Sequence, residues 1–390
     1  MNFKKDLPLT SSHWGTYRAK VKDGKVKELI GWENDKDPSP IGQGIVDVHN
    51  HQTRIDSPMI RKSWMDKGPG SNNSLRGTDP FISISWDEAE KIVSNELNRV
   101  KNDFGNASIF GGSYGWASAG RFHHAQSQLH RFLNCIGGYT RSKFTYSFAA
   151  AEAMVPHILG SYRAYLDTCT SWDSIEENTE LFLCFGGVPL KNGQIAQGGT
   201  GSHYQKEKLI RSADAGIKFV NFSPLKSDLL DQINGEWLAL RPNTDVAIML
   251  GLAHTLYKEK LYDNKFIEKY TEGFDTFLPY LQGDIDGIVK DANWASSISE
   301  IPSETIILLA KEMSSKRTMI SVSWSLTRQD HGEQPFWAAI MLASMLGQIG
   351  LPGGGFGFGY SATNHIGGQF SIIPGAAFPQ TQNKIKDFMG

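Results

Sequence analysis

ELFLCFGG, residues 180–187, decides how the chain is read. Its five consecutive apolar residues, Leu181 to Phe185, show no polar alternation, which describes a strand buried on both faces, the habit of parallel sheets. The two glycines that stop it place a tight turn at the strand's carboxyl end. A helix near 203–213 follows, and then a second apolar run, GIKFVNFSP (216–224). EWLAL (236–240) reads as a short strand and TDVAIMLGLAHTLYKEK (244–260) as a helix capped by Thr244 or Asp245. After a helix begun by PSET (302–305), TMISVSW (318–324) is the next strand, and QPFWAAIMLASMLGQIG (334–350) is the closing helix. Strands alternating with helices imply an α/β fold built on doubly wound, mostly parallel sheets with helices on both faces.

Upstream, GTYRAKVKDGKVKELIGW (15–32) alternates in polarity around a Lys-Asp-Gly turn, a β-hairpin signal that gives the chain a small β-rich opening module. SWDEAEKIVSNELNRVKNDFG (85–105) is a helix with Ser85 or Asp87 as its cap. ASIFGGSYGWASAGRFHHAQSQLHRFLNCIGG (107–138) reads as a short strand, a glycine-rich turn and a long amphipathic helix. Downstream, residues 351–390 carry few periodic elements, which fits a mobile loop or the first part of something missing.

At 390 residues the chain has room for two or three domains, at roughly 150 residues each. The 39 basic and 41 acidic side chains nearly cancel, so no global field draws it to nucleic acid or to an anionic membrane. No segment has eighteen uninterrupted apolar residues, and the opening MNFKKDLPLTSSHWG has neither an apolar run nor a twin-arginine pair, which favours a soluble cytoplasmic protein. Cys135, Cys169 and Cys184 lack any Cys-x-x-Cys pairing and read as buried thiols.

GGSYGWASAG (111–120) lacks the G-x-G-x-x-G spacing of a nicotinamide site, so a nicotinamide-dependent dehydrogenase is poorly supported. The same turn offers Tyr114 and Trp116, two rings with a hydrogen-bond donor each, suited either to burial or to steadying an oxygen that carries partial negative charge. Ser147, in TYSFAAAEAM (145–154), is either an N-cap or a side chain with a chemical task; no G-x-S-x-G elbow makes it a hydrolase nucleophile. His123, His124 and His130 are not at metal-binding helical spacing. Lys191, Asn192, Ser223, Asn243, Thr244, Asp245, Trp324 and Arg328 stand at or just past strand ends, where α/β folds gather a ligand with phosphate and base moieties.

Seven motifs in order carry a family resemblance: SHWG (12–15), RGTDPFISISWDEA (76–89), FGGSYGW (110–116), TYS (145–147), RPNTDVAIMLGLAHTLY (241–257), HGEQPFW (331–337) and ASMLGQIGLPGGGFG (343–357). Together they resemble the dimethyl sulfoxide reductase family, S- and N-oxide reductases with molybdenum held by two molybdopterin guanine dinucleotides. The resemblance implies that Ser147 ligates molybdenum through its side-chain oxygen, and that Tyr114 and Trp116 point their donors at the metal-bound oxo group or the substrate oxygen. It places Lys191, Asn192, Ser223, Lys226, Thr244, Asp245, Trp324, Ser325 and Arg328 around a guanine dinucleotide, with Asp245 as acceptor for guanine. No iron–sulfur cluster is implied, and electrons come from a redox donor protein, a c-type cytochrome or a cytosolic reductant. Tyr114 leans toward S-oxides over trimethylamine N-oxide.

The sequence departs from the family at the ligand loop, at Ser223, where an acidic residue is common, and at Gly187–Pro189. Family members are about twice as long, so the resemblance implies an N-terminal part whose C-terminal domain is missing. The expected division is a β-rich module over 1–60, an α/β domain with the molybdenum-site loops over 61–150, a Rossmann-like cofactor domain over 151–350 and a glycine-rich tail over 351–390. The expected activity is oxygen-atom transfer from an S-oxide or N-oxide, with a non-catalytic nucleotide-binding or assembly fragment as the rival. Family reductases are often periplasmic, which leaves that location open beside the cytoplasmic one.

Overall fold

A computed structural model describes residues 6–49, 51–112, 124–196, 199–368, 382, 383, 385, 388 and 389. The opening module is an antiparallel sheet of Leu9–Ser12 (β1), Gly15–Lys22 (β2) and Lys25–Gly31 (β3). The turn between β2 and β3 is the expected Asp-Gly pair, with both residues at positive φ, 53° at Asp23 and 71° at Gly24, the primed geometry that matches strand twist. β1 has no alternation signal of its own and joins through its pairing with β2.

This module is pinned to the rest of the chain by a buried pair. Asp35 accepts from the His203 backbone N–H at 2.9 Å and lies 2.7 Å from His203 Nδ1, while His203 Nε2 is 2.9 Å from the Gln194 carbonyl oxygen. Both ring nitrogens face groups that can only accept, so both donate and the ring is an imidazolium. Burial pulls the His203 pKa down, yet the bonds to Asp35 and Gln194 outweigh it and the net shift is upward.

Met59–Arg61 (β4) and Phe81–Ser83 (β5) form a short ribbon ahead of the helix Trp86–Phe104. Ser85, not Asp87, caps that helix, in a capping box with Glu88. No residue of the helix is fully buried; Leu97 and Val100 pack on a small cluster of Ile109, Leu133 and Tyr139. The strand expected within 107–110 is reduced to one bridge between Phe110 and Thr140, because only Ile109 of that run faces the cluster. Cys184 is buried, Cys169 is half-buried and Cys135 is exposed at the end of the helix Ala125–Cys135, which corrects the expectation of three buried thiols. Ser142–Lys143 (β6) completes this region.

Leu181–Phe185 (β7), Lys218–Phe222 (β8), Glu236–Leu238 (β9), Thr318–Val322 (β10) and Gly355–Phe358 (β11) form one parallel sheet in the order β11-β10-β7-β8-β9. Alternate residues serve opposite cores. Leu181, Leu183, Phe185, Val220 and Phe222 join a cluster with the helices Asp245–Lys258 and Gln334–Met345, while Phe182, Cys184 and Phe219 pack with Trp172 and Leu209. β11 was not signalled: its GFGF alternates phenylalanine with glycine, and burial on a sheet edge, not alternation of polarity, makes it a strand. Phe388–Met389 (β12) lies parallel beside β6. No helix among the described residues is long and apolar enough to cross a membrane.

The strand order sets the site. From β7 the chain steps to β8 and β9 on one side, then returns to place β10 on the other flank of β7. Loops leaving the carboxyl ends of β7 and β10 therefore diverge, and a crevice opens where they part.

Candidate functional site

A cavity of about 160 Å³ lies at that crevice. Its wall takes Gly186 from the end of β7, Phe222, Ser223, Pro224 and Asp228 from β8, and Leu240, Pro242, Asn243 and Asp245 from beyond β9. Ser325, Leu326 and Gln329 close it from beyond β10. Ser223, Asn243 and Asp245, chosen from the sequence on their strand-end positions, thus meet in one wall with Ser325, which the family resemblance added.

Asp245 is the first residue of the helix Asp245–Lys258 and is only 3% exposed. Burial pushes its carboxyl up to about 6, against the opposing pull of its own backbone N–H and the Gln329 side chain. A buried carboxylate at a helix N-terminus, facing a cavity, is an acceptor in search of donors. Thr244 occupies the cap position without capping: its Oγ1 donates instead to the Arg241 carbonyl at 2.6 Å.

Ser223 Oγ donates to Asp228 Oδ2 at 2.8 Å, and Lys191 Nζ donates to Asp228 Oδ1 at 3.2 Å. Asn192 and Lys226 are exposed and do not line the cavity. Asp228 and Gln329 were missed by sequence reading; Asp228 sits six residues beyond Phe222, the last residue of β8, outside the window in which strand-end residues are sought.

Ser147 precedes the helix Ala149–Leu159, whose cap residue is Phe148 with no side-chain cap bond. The hydroxyl therefore does not cap the helix, and the hydrogen bonds of Ser147 are main-chain ones. Its N–H donates to Thr145 Oγ1 at 3.4 Å, and its carbonyl accepts from Thr327 Oγ1 at 3.2 Å and Arg328 Nη1 at 2.8 Å. Glu152 Oε2 accepts from the Thr145 N–H at 3.1 Å and closes the loop from the other side. The Phe148 ring lies 4.2 Å from that of Trp324. The 3-10 turn Trp324–Arg328 thus touches both places, Ser325 in the cavity wall and Arg328 on the Ser147 loop. Tyr114, Trp116 and His123 lie outside the described residues. His124 caps the helix Ala125–Cys135 and His130 stacks on Tyr139, both structural duties.

Residues 54–389 match the molybdopterin oxidoreductase family, and residues 10–48 match the molybdopterin oxidoreductase N-terminal domain. The chain is 42% identical over 352 residues to the dimethyl sulfoxide/trimethylamine N-oxide reductase of Rhodobacter capsulatus, covering 90% of this chain and 42% of that protein. It is 42% identical over 356 residues to the biotin sulfoxide reductase of Cereibacter sphaeroides, 91% of this chain and 48% of that one. With the trimethylamine-N-oxide reductase of Haemophilus influenzae it shares 39% over 359 residues, 91% and 43%. Among solved structures, acetylene hydratase from Pelobacter acetylenicus superposes with a TM-score of 0.55 at 20% identity over 85% of this chain and 42% of that one, a likeness of fold. The chain spans less than half the length of each of these proteins. It belongs to the molybdopterin oxidoreductase family, in the dimethyl sulfoxide reductase group that its ordered motifs resemble.

Proposed function

We propose that the chain serves a molybdenum-dependent S-oxide or N-oxide reductase and holds a molybdopterin guanine dinucleotide. The observation that carries this reading is the shared turn Trp324–Arg328, which links the cavity at the sheet reversal to a loop whose serine hydroxyl makes no hydrogen bond among the described residues. The residues fit the group: a Rossmann-like crevice at a sheet reversal, a buried carboxylate for the base, and an oxygen donor held by its main chain.

When bound, the molybdenum–pterin group supplies the acceptor for the oxide's oxygen and the two electrons of the reduction. In this reading Asp245 accepts the N–H donors of guanine, a pairing that offsets the cost of its burial. Ser223, Ser325 and Thr244 shape the cradle, with Lys191, Asn192, Lys226, Trp324 and Arg328 around it. Ser147 Oγ provides the metal ligand, a hard oxygen beside soft pterin sulfurs. Tyr114 and Trp116 donate hydrogen bonds to the oxygen of the substrate, and Tyr114 favours S-oxides such as those of dimethyl sulfide or biotin. As the family resemblance implies, the reading includes no iron–sulfur cluster. Electrons then arrive from a separate donor protein. Residues 61–150 carry the metal-site loops and 151–350 the nucleotide.

The test is molybdenum per polypeptide, by elemental analysis of the full reading frame produced in a host that makes the guanine dinucleotide cofactor, with Ser147→Ala in parallel. Near-stoichiometric metal in the parent and loss of metal or of S-oxide reduction in the variant are expected. Folded parent protein without molybdenum overturns the reading.

A further inference from the structure

Dinucleotide folds place an acidic residue at the carboxyl end of the second strand, where it accepts from the ribose hydroxyls. In this sheet the second strand is β8, and the residue just past its end is Ser223, which has no charge to offer. Asp228 stands in the same cavity wall. The loop that carries it is folded back onto the end of β7: the Val188 N–H donates to the Asp228 carbonyl at 2.8 Å. Gly187, at φ 74°, permits that approach, because a Cβ there would stand 2.5 Å from Asp228 Cβ.

The carboxylate is also aimed. Ser223, itself 1% exposed, donates to Oδ2, and Lys191 donates to Oδ1. Lys191 is 63% exposed, so its ion pair is weak, and the buried Ser223 hydroxyl is the guide that fixes the geometry. Each carboxylate oxygen accepts one of these bonds and retains a second lone pair. Ser223 Oγ gives its one proton to Asp228, accepts from the Leu225 N–H at 3.1 Å and carries no charge, so the serine is a positioning residue and Asp228 the stronger acceptor for ribose.

Resting on the guanine-nucleotide reading above, we propose that Asp228, oriented by Ser223, accepts the ribose hydroxyls of the bound nucleotide. The acid has moved from the strand end to the return of the loop, and the serine left behind steers it.

The test is calorimetric titration of the 390-residue chain with GDP and with 2′,3′-dideoxy-GDP, which differ only in the hydroxyls concerned. The parent is expected to prefer GDP by about ten-fold, the worth of a charge-assisted hydrogen bond or two. Asp228→Asn keeps the shape of the side chain and should erase that preference while retaining affinity for the dideoxy nucleotide. Ser223→Ala keeps the carboxylate, removes its guide, and should shrink the preference several-fold. Equal binding of both nucleotides by the parent, or a preference that survives both substitutions, overturns the role of Asp228 and leaves the guanine site standing. Absence of GDP binding by the folded parent overturns the guanine site and this inference with it.

Discussion

Arg328 holds the main-chain carbonyl of Ser147 at 2.8 Å, so a side chain from the turn after β10 fixes a loop about 180 residues earlier in the sequence. Thr327 grips the same oxygen, and the Ser147 hydroxyl is left for other work. If this clasp restrains the loop, Arg328→Ala should cost about 1 kcal/mol of stability and open the loop to protease. Tryptic cleavage after Lys143, followed by mass spectrometry, should then run several-fold faster than in the parent; an unchanged rate shows that the clasp restrains nothing.

Gly187→Ala should be costly for two reasons that act together. The backbone is at φ 74°, where an L side chain is strained, and the new methyl group would meet the Asp228 main chain. We expect a loss of about 2 kcal/mol in denaturant unfolding, with weaker GDP binding because Asp228 is displaced.

Asp245 links the site to pH. Burial raises its carboxyl from the ordinary 3.8 to about 6 in the folded chain, so the native state binds more protons than the unfolded one between these values. Stability of the nucleotide-free chain should therefore fall as pH rises from 4 to above 6, by an amount on the order of 3 kcal/mol. Asp245→Asn removes this dependence. The melting temperature of the variant relative to the parent should rise between pH 5 and pH 8, and a difference that is flat across this range refutes the burial argument.

In the His203–Asp35 pair the histidine has the same sign as Asp245 and the aspartate the opposite one. The raised histidine contributes stability that is fully present below 6.5 and is lost as pH climbs through its folded value. Asp35 is held below the usual carboxylate range by His203 in spite of its burial, so its contribution is lost only as pH falls through that depressed value. His203→Ala leaves a buried carboxylate unpaired and should cost about 3 kcal/mol near pH 6. The deficit, read from urea unfolding, should narrow at alkaline pH.

The sheet was legible because β7, β8 and β10 are apolar runs bounded by turn residues, and so were the strand-end positions of Ser223, Asn243 and Asp245. β11 was not legible, since Gly355 and Gly357 offer neither alternation nor β-propensity, and only its place beside β10 makes a strand of GFGF. The capping role sought for Ser147 and Thr244 failed for a different reason in each. Thr244 occupies the cap position but its hydroxyl is turned to donate to the Arg241 carbonyl, whereas the cap of the helix Ala149–Leu159 falls on Phe148, one residue after Ser147. Asp228 was invisible because its usefulness depends on a loop doubling back, which Gly187 allows and no local pattern announces.

The helix Trp86–Phe104 has a complete capping box yet no fully buried residue, and its apolar side rests on a three-residue cluster, whereas β7 is sealed on both faces. Amide protons of the helix should exchange with solvent through small local openings, while those of β7 wait for the whole chain to unfold. Ser147 is tied by Thr327 and Arg328 to the turn that follows β10 of the same sheet as β7. Its carbonyl is moored to the slow side, and whatever engages its hydroxyl inherits that stillness.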